Sequence, residues 1–382
     1  MLVAVEPSGD ALGAALLREL KTVAPPDTDY SGCGGALMAA EGFQSLFPIE
    51  AMSVIGFTDV ARALPEGYAR ARELTRRAAA DAVGAVIFVD GWAFSRICAK
   101  RMRRAVPDAK LFKLSAPQVW ASRPQRVEFV RKYFDGVLCL LPFEPPYFAR
   151  AGVRAEFIGN PNFQKAFAEK GDRAAFRRRH EIGEAPLVLV LPGSRATEVR
   201  RLIEPFGRAL KIVSDRVPLL RVAAVLHPAV EKLARPAMAG WSGAAVFAGE
   251  NEKADAFAAA DAALAKSGTV TTELAIKGVP MVVAYRVDPL TALWVRAVAT
   301  TKFATILNVT AGREVVPELL QEKCRPERLA SDLLALLTDR EMRLEQVEAF
   351  PAILAQLGVD GPPAARLGAG KIAEWMGWPR RE

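Results

Sequence analysis

Histidine is almost missing from this chain. His180 and His227 are the only two, so a His-rich metal site is excluded. The four cysteines, Cys33, Cys98, Cys139 and Cys324, are scattered without disulfide or metal spacing, which suits a reducing compartment. No apolar run is long enough to span a bilayer, and the opening MLVAVEPSGD lacks the basic and apolar regions of a signal peptide. There is no GxGxxG fingerprint, no GxxxxGK[ST] loop and no GxSxG elbow, which argues against dehydrogenase, P-loop and α/β-hydrolase chemistry. Acidic residues are scarce in one place. Between Arg96 and Lys132 only Asp108 and Glu128 face a long series of arginines and lysines.

What is present is ordinary in bulk and biased in charge. The 382 residues are 51% hydrophobic and 25% charged, a globular composition long enough for two cored domains. The net charge of +8 favours anionic partners. The Arg96 to Lys132 stretch reads either as a solvated helix face or as a patch for anionic headgroups. The latter is worth about 1 kcal/mol per basic residue near such a surface. No helix–turn–helix, RNP or zinc signature accompanies the charge, so nucleic acid is not an expected partner.

The chain is organised around LVLVLPGSRATEVRRLI, Leu187 to Ile203. Its apolar run reads as a strand buried on both faces of a parallel sheet, stopped by Pro192 and Gly193. A helix then begins near Thr197. Such a turn aims free N–H groups and a helix dipole at one point beyond the sheet. With Gly193, Ser194 and the Arg195 guanidinium it reads as a diphosphate site, or as a plain βα turn with a solvated arginine. The start, LVAV then PSGD then a helix, repeats the pattern with acids in place of arginine. Ser8 and Gly9 would therefore meet a neutral or hydroxyl-bearing group, with Asp10 beside them or acting on the helix start. Asp90 closes the apolar run Val83 to Val89, where open α/β sheets bind ligands; the alternative is a helix cap. Trp120 sits in a Pro-punctuated loop, where it either stacks on a sugar or acyl chain or closes the domain. The cluster containing Met52, Ile55 and Phe57 is either core or, if exposed, a lipid-contacting patch. In the second half, Ser267, Gly268 and Thr269 form a small-residue turn after a strand. Glu273 follows one helical turn later, placed for ribose hydroxyls or for the dipole.

Strand–helix alternation in both halves predicts two Rossmann-like doubly wound domains facing a cleft, the GT-B glycosyltransferase type, with C-terminal helices. The expected division is residues 1–165 on the acceptor and membrane side, residues 185–340 for a UDP-sugar, and residues 341–382 as helices that cross back or exchange in a dimer. The Arg-rich KGDRAAFRRRHEIGEAP reads as a short helix between domains. After Arg286 helical patterns dominate, including one from Glu318 to Lys323.

The motifs resemble one family along nearly the whole chain. EPSGDALGAALLREL, GCGGALMAAEGFQSLFPIEAMSVIGF, VDGWAF, APQVWASRPQR, LLPFEPPYF, FIGNP, LPGSRATEV, SGTVTTEL, PMVVAYR and VPELLQE occur in that order. Together they are similar to the lipid-A-disaccharide synthases. The resemblance implies transfer of 2,3-diacylglucosamine from its UDP derivative to the 6-hydroxyl of 2,3-diacylglucosamine 1-phosphate (lipid X), by inverting displacement, in lipid A biosynthesis of Gram-negative bacteria. It implies work at the cytoplasmic face of the inner membrane, as a peripheral protein on an anionic surface, and dimers that exchange C-terminal segments. It carries Asp90 over as general base and Arg195 with the Ser267–Thr269 turn as the UDP holder. Glu273 falls on the ribose, and Asn308, Glu318 and Gln321 fall on the late motif lining the same site. Asn160 lies on the acceptor side. No cofactor and no metal are expected.

The chain departs from the family pattern at Val5, at Gly91 to Phe94, at Ser122 and at Asn160. All four lie in the acceptor-side half. They keep open a UDP-sugar enzyme with another acceptor, an epimerase among them, or a non-catalytic UDP-sugar or lipid-binding relative.

Overall fold

The structure is a computed structural model, which describes residues 1–49, 60–121, 123–243 and 245–379. Met52, Ile55, Phe57 and Ser122 lie outside the described residues. The chain divides into two units. One is Met1–Pro161 together with the chain from Gly361 onward; the other is Asn162–Asp360.

In the first unit the strands are β1 (Leu2–Ala4), β2 (Gly32–Cys33), β3 (Ala85–Val89), β4 (Lys110–Leu114), β5 (Gly136–Cys139) and β6 (Arg154–Phe157). They lie in the order β2-β1-β3-β4-β5-β6, every pair parallel. The order reverses direction between β1 and β3. Alternation explains why these strands read as unbroken apolar runs. Met1, Val3, Val86, Phe88 and Leu111 feed one core cluster, while Leu2, Ala4, Ile87, Val89, Phe112 and Leu114 feed the other. The second face is covered by the helix Pro7–Val23 through Leu16, Leu17 and Leu20, and by the final helix Ala364–Met376. Trp375 of that helix packs 5.5 Å from the Phe112 ring. Gly136 makes room for it, since a Cβ there would come within 2.6 Å of the indole.

In the second unit the strands are β7 (Leu187–Leu191), β8 (Arg221–Val225), β9 (Ala245–Ala248), β10 (Ala262–Lys266), β11 (Met281–Tyr285) and β12 (Glu318–Leu320). Read as β9-β8-β7-β10-β11-β12, all parallel, this is the 3-2-1-4-5-6 order of a Rossmann sheet, with its switch point between β7 and β10. The helix Arg340–Gln356 belongs to this unit. The short helix Arg173–Arg179 belongs to it as well. Its buried Arg177 donates to the carbonyls of Gly183, Ala185 and Ala259 and reaches Asp261 Oδ2 at 2.7 Å.

The helical reading of Glu318 to Lys323 needs correction. Glu318–Leu320 is the sixth strand, paired parallel with β11 through Val283 and Glu318, and only Gln321–Lys323 turns as a 3₁₀ segment. Three residues on a sheet edge are too few to display a period of two, so the sequence pattern carried no strand signal.

Candidate functional site

At the switch point of the second sheet two turns lie side by side, because β7 and β10 are hydrogen-bonded neighbours. The turn after β7 carries Gly193, Ser194 and Arg195 and opens the helix Ala196–Ser214. Gly193 has φ +113, and a Cβ there would sit 2.6 Å from Glu198 Oε2, so only glycine lets the turn close on that carboxylate. The turn after β10 carries Ser267, Gly268 and Thr269 and opens the helix Thr269–Ile276.

Two charged residues not singled out from sequence join the turns. Glu198, in the first turn of its helix, receives Arg195 Nη1 at 3.0 Å and Lys266 Nζ at 3.1 Å on the same oxygen. Burial works against the charged carboxyl, but Lys266 and Arg195 outweigh it and hold Glu198 below its ordinary value. Lys266 also stands 5.3 Å over the Tyr285 ring at the end of β11. Burial, and then the Glu198 charge, push that phenol up, against Arg195 and Arg201. A carboxylate therefore occupies the position at a helix N-terminus where two cations converge. An incoming diphosphate presents the same chemistry with more charge. The signal for Lys266 was in the sequence: a lysine ending the apolar strand AALAK.

The remaining residues expected around the nucleotide divide. Glu273 is paired with Lys253 Nζ at 2.5 Å. Ser267 Oγ donates to the Ala304 carbonyl at 2.9 Å. Glu318 accepts from Ala304 N, Thr305 N, Thr305 Oγ1 and Asn308 Nδ2, at 2.7–2.8 Å. Asn308 is 0% exposed, and its amide is also bonded to Val315 N, Val316 N and Val316 O. The polar atoms of Asn308 and Glu318 are thus spent inside the protein. In this structure they brace the 304–305 backbone beneath Ser267. Gln321, at φ +52, braces the exit of β11, its amide pairing with both main-chain groups of Val287.

In the first unit the switch point lies between β1 and β3, and it gathers Glu6, Ser8 and Asp90. Asp90 follows β3 with φ +50, and Gly91 continues at φ +49. Two left-handed residues in succession, one of them not glycine, mark a strained strand exit. Ser8 Oγ donates to Asp90 Oδ2 at 3.0 Å, and Ser95 Oγ donates to the Asp90 carbonyl at 3.0 Å. Gly9 lets the first helix lie against β3, where a Cβ would meet the Val89 carbonyl at 3.2 Å. Burial raises Glu6, Asp90 raises it further, and Lys113 opposes both.

Three acceptor-side residues are held inside the protein. Asp10 is buried and accepts from Gly35 N, Leu37 N and Met38 N at 2.8–3.1 Å. In this structure it caps the helix Ala36–Ala40. Trp120 is buried edge-to-face on Phe143 at 5.1 Å and contacts the Glu144 carboxyl, so it closes the domain. Asn160 is buried too. Glu144, missed from sequence, is 3% exposed and accepts from Leu140 N and Leu141 N. Burial pushes it up to about 7 despite those bonds.

The basic stretch is not one solvated face. Arg103 is tied to Asp135 at 2.5 Å and to carbonyls nearby, and Lys113 is buried. Arg96 and Arg126 flank the Trp92 ring at 6.0 and 5.7 Å.

Two doubly wound parallel units with these switch-point turns have the fold of GT-B UDP-sugar enzymes. The S. aureus MnaA–UDP co-structure aligns with TM-score 0.66 over 100% of this chain and 99% of that one, at 9% identity. A UDP-GlcNAc 2-epimerase from Neisseria meningitidis, bound to UDP-GlcNAc, aligns with TM-score 0.58 over 93% and 98%, at 10% identity. These likenesses speak to fold alone. The chain belongs to the lipid-A-disaccharide synthetase family, whose model matches residues 1–357. A lipid-A-disaccharide synthase of Rhodospirillum centenum is 39% identical over 368 residues, 96% of this chain and 92% of the relative. One of Bradyrhizobium diazoefficiens is 40% identical over 352 residues, 91% and 89%.

Proposed function

We propose that this protein joins two acylated glucosamines in lipid A biosynthesis, transferring 2,3-diacylglucosamine from UDP to the 6-hydroxyl of 2,3-diacylglucosamine 1-phosphate. The observation that carries this reading is the pair of turns at the β7/β10 switch point, where Arg195 and Lys266 converge on one anionic position at a helix N-terminus. In the reaction a bond forms from the acceptor oxygen to the sugar C1, and the bond from C1 to the UDP diphosphate breaks. A single displacement of this kind inverts C1. The acceptor proton passes to Asp90, whose Oδ2 is held by Ser8. Such a base contributes about 10²–10⁴-fold. Charge developing on the diphosphate is met by Arg195, Lys266 and the N-terminus of the helix Ala196–Ser214. Hydroxyl-for-diphosphate exchange is redox-neutral, so the two substrates and these side chains balance it without a redox cofactor.

The acyl chains of both substrates place the reaction at a bilayer. Among the described residues no helix is long and apolar enough to cross a membrane. We assign contact with the anionic inner-membrane surface to the exposed Arg96 and the half-buried Arg126 that flank Trp92. The test is turnover in detergent with UDP-2,3-diacylglucosamine and lipid X, following the disaccharide 1-phosphate by mass spectrometry. Product is expected from the native chain and not from Asp90→Asn, with UDP binding intact in both. UDP binding without product in the native chain would overturn the assignment of the acceptor.

A further inference from the structure

β4 is an interior strand, flanked by β3 and β5, and such a strand is expected to be apolar on both faces. Its sequence KLFKL breaks that rule at Lys113, which shares the face of Leu111 and is only 1% exposed. A buried ammonium without fixed acceptors is unstable. Lys113 spends its protons on main-chain carbonyls: Asp90 O at 2.6 Å, Leu114 O at 2.8 Å and Phe88 O at 3.5 Å. These acceptors bracket a cluster of left-handed residues, Asp90 at φ +50, Gly91 at φ +49 and Ser115 at φ +69. One ammonium therefore ties the exits of β3 and β4 together where both backbones are strained.

The geometry points to Lys113 as a positioning residue for Asp90, holding the strained main chain of that residue so that its carboxylate stays beside Ser8 at the switch point. This rests on the reading of Asp90 as the base. The charge of the ammonium has a second effect. The charged groups that face it are Asp90 at the end of β3 and Glu6 at the end of β1. Burial lowers Lys113 to about 8, and those two carboxylates oppose the fall. The ammonium is thus charged at neutral pH, opposes the rise of Glu6, and loses its proton just above neutrality.

The test uses the full chain with Lys113→Met, which keeps the apolar stem and removes the donors and the charge. Displacing a reacting group by about 1 Å costs up to about 10²-fold, so kcat should fall by about 10- to 100-fold. The KM for the UDP-sugar and the affinity for UDP should not change, because those groups lie in the other unit. The kcat–pH profile supplies the readout that packing alone would not move. The native enzyme should lose activity above about pH 8 as Lys113 deprotonates. In Lys113→Met that basic limb should vanish, because the group that titrates there is gone. Lys113→Gln, smaller and neutral, gives the same readouts if the Met variant does not fold. A folded variant with native kcat and the basic limb in place would overturn the assignment. Asp90→Asn assayed in parallel separates the two claims: turnover there defeats the base reading, whereas a dead Asp90→Asn beside an unperturbed Lys113→Met defeats the positioning role alone.

Discussion

Replacing Arg195 by alanine tests the nucleotide site with little structural cost. The Arg195 side chain is 72% exposed, and its only side-chain ion pair among the described residues is with Glu198 at 3.0 Å. Pairs this exposed contribute about 0–1 kcal/mol, so the free protein should melt within about 4 °C of the native chain. Glu198 keeps its partner Lys266 at 3.1 Å, so the carboxylate is not orphaned. Against a diphosphate the same guanidinium makes charge-assisted hydrogen bonds. Their loss is worth about 1.5–3 kcal/mol, or about 10- to 150-fold in the dissociation constant for UDP. Calorimetric titration with UDP at fixed salt, run beside a thermal melt, separates the two. A dissociation constant within about threefold of native would place the diphosphate elsewhere, since that is well under 1 kcal/mol. A large drop in melting temperature would show that Arg195 is structural.

Two further outcomes follow from groups packed inside the first unit. Glu144 lies above its ordinary value of 4.5, at about 7, so the native state binds its proton more tightly than the unfolded chain. Its contribution is therefore complete below pH 4.5 and is lost as pH rises to about 7. The difference in urea midpoint between the native chain and Glu144→Gln should shift over that window, and a flat difference would contradict the burial argument. Trp375→Ala removes the ring that packs on Phe112 and Gly136 and should cost the first unit about 2–4 kcal/mol, read from denaturant unfolding.

Much of the fold was legible because parallel strands buried on both faces write themselves as short apolar runs, and those runs ended at the turns that matter. Leu187–Leu191 and Ala85–Val89 were readable in this way, and so were the turns at Arg195, Ser267 and Asp90. β12 was not, being a three-residue edge. Asp10, Asn308 and Glu318 show a different limit. Residue type and motif say that a polar group is wanted at a position, but not whether its partner is a ligand or the backbone of a distant loop. Asp10 caps a helix more than twenty residues further on, and Glu318 holds residues 304 and 305; neither partner is visible without the tertiary fold.

Each sheet carries one lysine that interrupts an apolar strand beside a switch point, and the two differ in what their surroundings allow. Lys266 ends β10, is 15% exposed, and points its ammonium at a carboxylate on a helix N-terminus. An anion arriving from solvent can take over that contact, so the arrangement suits binding. Lys113 sits one residue short of the end of β4, is 1% exposed, and bonds only to carbonyls of its own and the neighbouring strand. Closed off from solvent in this way, it acts on Asp90 through the backbone. The same residue type at nearly the same place in two related sheets thus serves two ends. What separates them is a single step of register: a lysine in the last position of a strand meets the site, and a lysine one position earlier meets the frame that holds it.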